Sequence, residues 1–141
     1  MRIASLQMAT IDDLLVTFVT PGRISDEAFA AYIAALKDRK ITKYMATVGS
    51  VVEFDSLQRK KAAEAGRRLR AVAVTDDRMV RGIVTAMSWL GIDVKAFSWA
   101  EVPAAIKHLE CTKNEERILA AIKKMRLDAE RAVFASATRN K

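Results

Sequence analysis

An α/β fold, built on a five-stranded sheet that is mixed but mostly parallel, is what this sequence predicts, and three observations lead there. The first is the stretch 71–98, AVAVTDDRMVRGIVTAMSWLGIDVKAFS. Residues 71–74 are apolar without a break, as suits a short strand covered on both faces. Met79, Val80, Ile83, Val84, Met87 and Leu90 then recur at spacings of 3 and 4, which places them on one stripe of a helix. Residues 94–97 return as a second strand, and a strand–helix–strand unit of this length forms a right-handed crossover between parallel neighbours. The second observation is a pair of apolar segments on either side of 10–13, which reads as a hairpin. The third is size: 141 residues, 51% of them hydrophobic, supply one core. No run of 18 apolar residues supplies a membrane span.

Taken in order, Ile3, Leu6 and Met8 make a weak first strand and LLVTFV at 14–19 a strong second one. Pro21 and Gly22 close the hairpin. Ser25 caps a helix whose first turn holds Asp26 and Glu27, whose stripe is Phe29, Tyr32, Ile33 and Leu36, and whose end carries Lys37, Arg39 and Lys40. Residues 44–48 form the third strand. The segment GSVVEFDS is irregular, with Val51, Val52 and Phe54 tucked inward from a loop. Ser56 is read as the cap of a second helix, 57–69, which is rich in charge and has a narrow apolar face, so it lies on the surface.

Thr75, Asp76 and Asp77 favour the start of the central helix, since short polar side chains accept from free backbone N–H groups. Gly91 supplies its left-handed end. Ser98 with Glu101 forms one capping box and Thr112 with Glu115 another. Pro103 sits early in its helix, where a missing donor costs least. Val102, Ile106 and Leu109 form the stripe of that helix. A last helix runs to about Phe134, with Ile118, Leu119, Ile122, Met125, Ala129, Ala132 and Val133 as its apolar set and 135–141 frayed. The order is ββαβαβαβα plus an extra C-terminal helix: an α/β domain over 1–112, then an amphipathic helix and tail over 113–141.

The net charge is +7, from 24 basic and 17 acidic residues. A basic surface is the plain reading, and an anionic partner is the alternative. No aromatic side chains are interleaved with the basic ones as single-strand binding requires. The start, MRIASLQMATIDD, has no continuous apolar core of a secretion signal, and the single Cys111 has no internal disulfide partner. Both favour a cytoplasmic location.

Two stretches carry a resemblance. RMVRGIVTAMSWLGIDVKAFSWAEVPAAIKHL, at 78–109, resembles the tail of small bacterial STAS-like proteins, with a helix ending in Trp-Leu, a strand ending in Phe and a last helix. VGSVVEFDSLQRKKAAE, at 48–64, places Asp55-Ser56 where the classical anti-sigma-factor antagonists carry an Asp-Ser pair. Over about residues 1–110 the chain is similar to that family. The resemblance implies a non-enzymatic module of bacterial signalling and regulation that binds another protein, with no cofactor. It also implies that Ser56 is a phosphorylation switch. The residues after the pair depart from the family's Ser-Gly-Leu-Gly type: they are Leu57, Gln58, Arg59 and Lys60.

Other candidates come from the residues alone. Asp55, Arg59, Asp76, Asp77, Arg78 and Arg81 lie near the ends of strands, where open α/β sheets bind ligands, and so are candidates for a partner or anion contact. Asp76 and Asp77 have no partner base or nucleophile in the sequence, so they read as caps before they read as catalysts. A basic cluster of Arg59, Lys60, Lys61, Arg67, Arg68 and Arg70 reads as a solvated face, with nucleic acid or a lipid or nucleotide phosphate as the alternative ligand. His108 and Cys111 have metal-ligand spacing but no further His or Cys to complete a site. Trp89 and Trp99 read as core or boundary residues. The helix within 113–134 covers the sheet, pairs two copies of the chain, or does both.

Overall fold

The computed structural model describes residues 4–49, 52–53 and 55–139. The hairpin comes first. Strands β1 (Leu6–Ile11) and β2 (Leu14–Val19) pair antiparallel, with Ile11 opposite Leu14. At the turn between them Asp12 holds φ at 53°, a left-handed conformation that a short polar side chain tolerates. Asp13 takes the Thr42 hydroxyl on its carboxylate and the Thr42 and Lys43 N–H groups on its carbonyl. That fastens the turn to the start of β4 (Lys43–Val48).

Between the hairpin and β4 runs α1 (Asp26–Lys37), whose Ser25 hydroxyl accepts from the Ala28 N–H at 3.1 Å. After β4 come α2 (Ser56–Gly66), β6 (Arg70–Val74), α3 (Arg78–Trp89), β7 (Val94–Phe97), α4 (Val102–His108) and α5 (Glu115–Arg139). The five strands order as β1-β2-β4-β6-β7, and every pair but β1–β2 is parallel. The predicted α/β class, strand number and mixed character all hold. Two further short strands, β3 (Gly22–Arg23) and β5 (Val52–Glu53), pair with each other in a small parallel ladder. The second of these lies within the GSVVEFDS segment, expected to be irregular. Val52 lies in β5 opposite Gly22, and the expected inward tuck of Val51 and Phe54 falls outside the described residues.

Strand alternation divides the core between two faces. On one face Leu14 and Val16 of β2, Met45 of β4, Val72 and Val74 of β6 and Phe97 of β7 meet Ile106 and Leu109 below α4 and Ile118, Ile122 and Met125 of α5. On the other, Leu15 and Val19 of β2 meet Phe29, Tyr32 and Leu36 of α1 and Ala65 of α2. The C-terminal helix therefore lies on the hairpin strands and completes the first face.

Local chemistry corrects four boundaries. The N-cap of α2 is Asp55, not Ser56. Its carboxylate accepts from the Gln58 N–H at 2.7 Å while the Gln58 side chain accepts from the Asp55 N–H at 3.0 Å, a reciprocal box that a serine hydroxyl does not displace. That helix ends at Gly66 rather than 69. The box expected from Thr112 and Glu115 is replaced by a 3-10 turn, Thr112–Asn114, whose cap residue Cys111 makes no side-chain cap bond. Finally, α5 continues to Arg139, beyond the predicted end near 134. Ser98 and Glu101 do form their box, over a 3-10 turn that precedes α4.

Candidate docking surface

The candidate surface is the outer side of α3. Asp77 starts this helix: one of its carboxylate oxygens accepts from the Met79 N–H at 2.9 Å and the Val80 N–H at 3.1 Å. Its own N–H goes to the hydroxyl of Thr75, which is fully buried. Asp76 points elsewhere and accepts from the Trp99 N–H at 3.1 Å, tying the start of α3 to the turn before α4. At the other end Gly91 sits at φ 88° and closes the helix with its N–H on the Ser88 carbonyl. Both aspartates thus hold backbone in place.

The apolar stripe of α3 is only half used. At about 100° per residue its members run across the helix surface in the order Val84, Val80, Met87, Ile83, Leu90, Met79. Val84 is buried, Val80 and Met87 are half-buried, and Ile83, Leu90 and Met79 are 49%, 74% and 65% exposed. The helix is therefore rolled roughly a quarter turn from the orientation its periodicity predicts. The reason lies in the sheet beneath. α3 packs chiefly on β7, the four-residue edge strand, and on that face β6 and β7 present Ala71, Ala73, Val94 and Ala96. A strip that narrow covers one border of the stripe. Trp89, expected in the core or at its boundary, is 82% exposed at the end of the helix.

Arg78 and Arg81 flank this apolar surface, Arg78 exposed and Arg81 half-buried. Arg81 lies close enough to Glu101 to help hold its carboxyl below the usual range. The larger cause there is the hydrogen bonding from Ser98, through backbone and side chain, and Lys95 adds a smaller pull. Asp55 and Arg59, with Ser56 between them, are exposed at the start of α2, on a different helix from Asp76, Asp77, Arg78 and Arg81. The predicted contact residues thus fall on two helix starts.

Two members of the basic cluster are engaged within the fold. Arg68 donates to the carbonyls of Leu36, Asp38 and Ile41 at 2.9, 2.7 and 2.6 Å, so it closes the C-terminal end of α1. Arg70 pairs with Glu110 at 3.9 Å. Arg59, Lys60, Lys61 and Arg67 stay exposed along α2. His108 packs its ring on Phe97 at 5.7 Å, and Cys111 is buried with its thiol on the Leu109 carbonyl. Burial pushes that thiol up, against a downward pull from Lys43. Among the described residues no three His, Cys, Asp or Glu side chains gather as a metal-binding group. Trp99, the other tryptophan, sits edge-on to Phe18 at 6.4 Å with the Arg126 guanidinium 4.6 Å over its ring.

Between α3 and α1 the sheet face is left open as a cleft of about 180 Å³. Its floor holds three hydroxyls in a row: Thr17 to Tyr44 at 2.9 Å and Tyr44 to Tyr32 at 3.0 Å. Burial pushes both phenols above their usual range. The charge and hydrogen bond of Tyr44 push Tyr32 further, while bonds from Thr17 and Tyr32 partly offset the rise at Tyr44. The cleft was missed in the sequence because Thr17, Tyr32 and Tyr44 lie far apart along the chain. Alternate positions in strong strands and a tyrosine within a helix stripe were the available signals.

Comparison with known proteins finds no matching family model, no matching curated protein and no matching solved structure. Among the described residues no helix is long and apolar enough to cross a membrane.

Proposed function

We propose that this chain is a non-enzymatic regulatory module of bacterial signalling, STAS-like in kind, that works by docking another protein onto α3. The observation that supports this reading best is the exposed apolar border of α3 and its cap, Met79, Ile83 and Leu90, with the exposed Trp89 at the end of the helix. Apolar surface gathered in one place and rimmed by charge marks an interaction site. Arg78 and Arg81 at its border, with the net charge of +7, favour a partner that brings an apolar ridge with an acidic rim. The use of Asp76 and Asp77 as backbone acceptors supports a binding role over a catalytic one.

The test is a photo-crosslinking residue at position 89 in cells, followed by reconstitution with the captured partner. We expect binding that survives high salt and falls about tenfold or more in Met79→Glu and Ile83→Glu. Crosslinks to nucleic acid alone, with affinity that collapses as salt rises, would replace this reading with that of an anion binder working through Arg59, Lys60, Lys61 and Arg67. Crosslinks to a second copy of the chain would make the surface a homodimer contact instead. Pairing through 113–134 rests on Leu119 and Leu127, which α5 leaves exposed.

Ser56 enters the proposal as a switch. It is exposed at the first position of α2, beside the capping Asp55 and three residues before Arg59. A phosphate there is favoured by the helix N-terminus and by Arg59 and disfavoured by the Asp55 carboxylate. A phosphate on Ser56 in protein isolated from cells, read by mass spectrometry, supports the switch; its absence across growth conditions removes it.

A further inference from the structure

The cleft between α1 and α3 has a composition that specifies what it takes. Every side chain lining it is uncharged. A charged ligand there would lose its hydration with nothing of opposite sign to replace it. Its volume of about 180 Å³ is in the range of a single ring with a small substituent.

The hydroxyls supply the second constraint. Thr17, Tyr44 and Tyr32 carry three O–H hydrogens, and two hydrogen bonds join them. Each bond uses one hydrogen, so one O–H remains with no acceptor among the described residues, whichever way the row is oriented. Both phenols stay protonated well beyond neutral pH, because burial disfavours their charged form. Thr17 is 2% exposed, Tyr32 9% exposed and Tyr44 half-buried, so the cleft is the space from which an acceptor reaches the spare donor. A buried donor left without an acceptor is costly.

We propose that this cleft is a binding site for a small uncharged molecule, monocyclic in size and mainly apolar, that presents one hydrogen-bond acceptor to the Thr17–Tyr44–Tyr32 hydroxyl row. The apolar part of the ligand lies against Ala46 and Val80, with Ile83 at the rim. Ile83 belongs to both this cleft and the exposed face of α3, so the occupant touches the same helix that the proposed docking uses. The site itself stands without that docking.

Acetophenone and its near-isostere cumene are the probes, titrated separately into isotopically labelled protein and followed by backbone amide shifts. Expected are saturable shifts at Thr17, Tyr44, Val80 and Ile83, with acetophenone binding about fivefold tighter than cumene, the value of one hydrogen bond. In the Thr17→Val/Tyr32→Phe/Tyr44→Phe triple variant, which removes all three hydroxyls, that preference falls to about one. Ala46→Leu, which fills the floor, abolishes binding of both probes while the rest of the amide spectrum stays in place. Should Ala46→Leu not fold, the comparison of probes on the unaltered chain decides alone. Absence of saturable shifts, equal affinity for the two probes, or shifts confined to amides away from the cleft would each overturn the proposal.

Discussion

One sheet serves two faces, and they are finished to different standards. Below α4 and α5 the strands meet fully buried Ile106, Leu109 and Ile118, all at 0% exposure, so that face is closed. Under α1 and α3 the same strands carry Ala46, Thr17 and the Tyr44 phenol at an open cleft, α1 adds the Tyr32 phenol, and α3 keeps Ile83 half in water. The closed face carries buried apolar side chains from all five strands. The open one is interrupted by hydroxyls and by alanines that are too small to fill the space under a helix. Room for a ligand or a partner therefore lies on one face only: stability resides with the last two helices, and unsatisfied surface resides with α3.

The contrast can be broken most directly at Ile106. Ile106→Ala removes a fully buried side chain and is expected to cost about 2–5 kcal/mol in urea unfolding. A loss no larger than that of Ile83→Ala would end the distinction between the faces. Alkaline titration sharpens it from the other side. The phenols of Tyr32 and Tyr44 are raised in the folded chain above the ordinary value of 10.0, so the folded state holds more protons than the unfolded one once pH passes that value. Stability is therefore fully present below pH 10 and falls as pH climbs from there through the folded pKa. Unfolding curves of Tyr32→Phe/Tyr44→Phe should show a smaller alkaline decline.

Arg68→Ala frees three carbonyls at the end of α1 and is expected to cost about 1–2 kcal/mol, reduced from the usual value of charged hydrogen bonds because the side chain is exposed. Arg68→Lys should recover only part of it, since one ammonium does not reproduce the planar fork. Glu110 holds φ at 58°, and Glu110→Gly is expected to raise stability by about 0.5–1 kcal/mol, the loss of its exposed ion pair with Arg70 notwithstanding. Smallest of all is Met79→Ser on the exposed border of α3, expected within about 0.5 kcal/mol of zero by thermal unfolding.

Periodicity made the architecture readable. Strands at 14–19, 44–48 and 71–74 and the stripe of α1 come from patterns within single elements, and the crossover rule assembles them into a parallel sheet. What stayed illegible depends on pairs of elements. The stripe of α3 announces a buried helix, yet only the alanines opposite decide how much of it is covered. Arg68 sits in a run of charge that looks solvated, and only the approach of α1 turns it into a clamp. Ser56 and Asp55 are both good caps, and the competition is settled by the reach of Gln58. Of the named contact residues, Asp76 and Asp77 were legible as caps, whereas the hydroxyl row needed three elements brought together in space.

The seal that α5 places on the hairpin has a consequence for synthesis. Asn114 bonds Asp12 at 2.8 Å, across 102 positions of chain, and Ile118 and Ile122 bury against strands made near the beginning. On a ribosome the earliest strands therefore wait, one side bare, until nearly the last helix has emerged. Such distant closure slows folding and leaves that apolar surface available to chaperones or to neighbouring nascent chains.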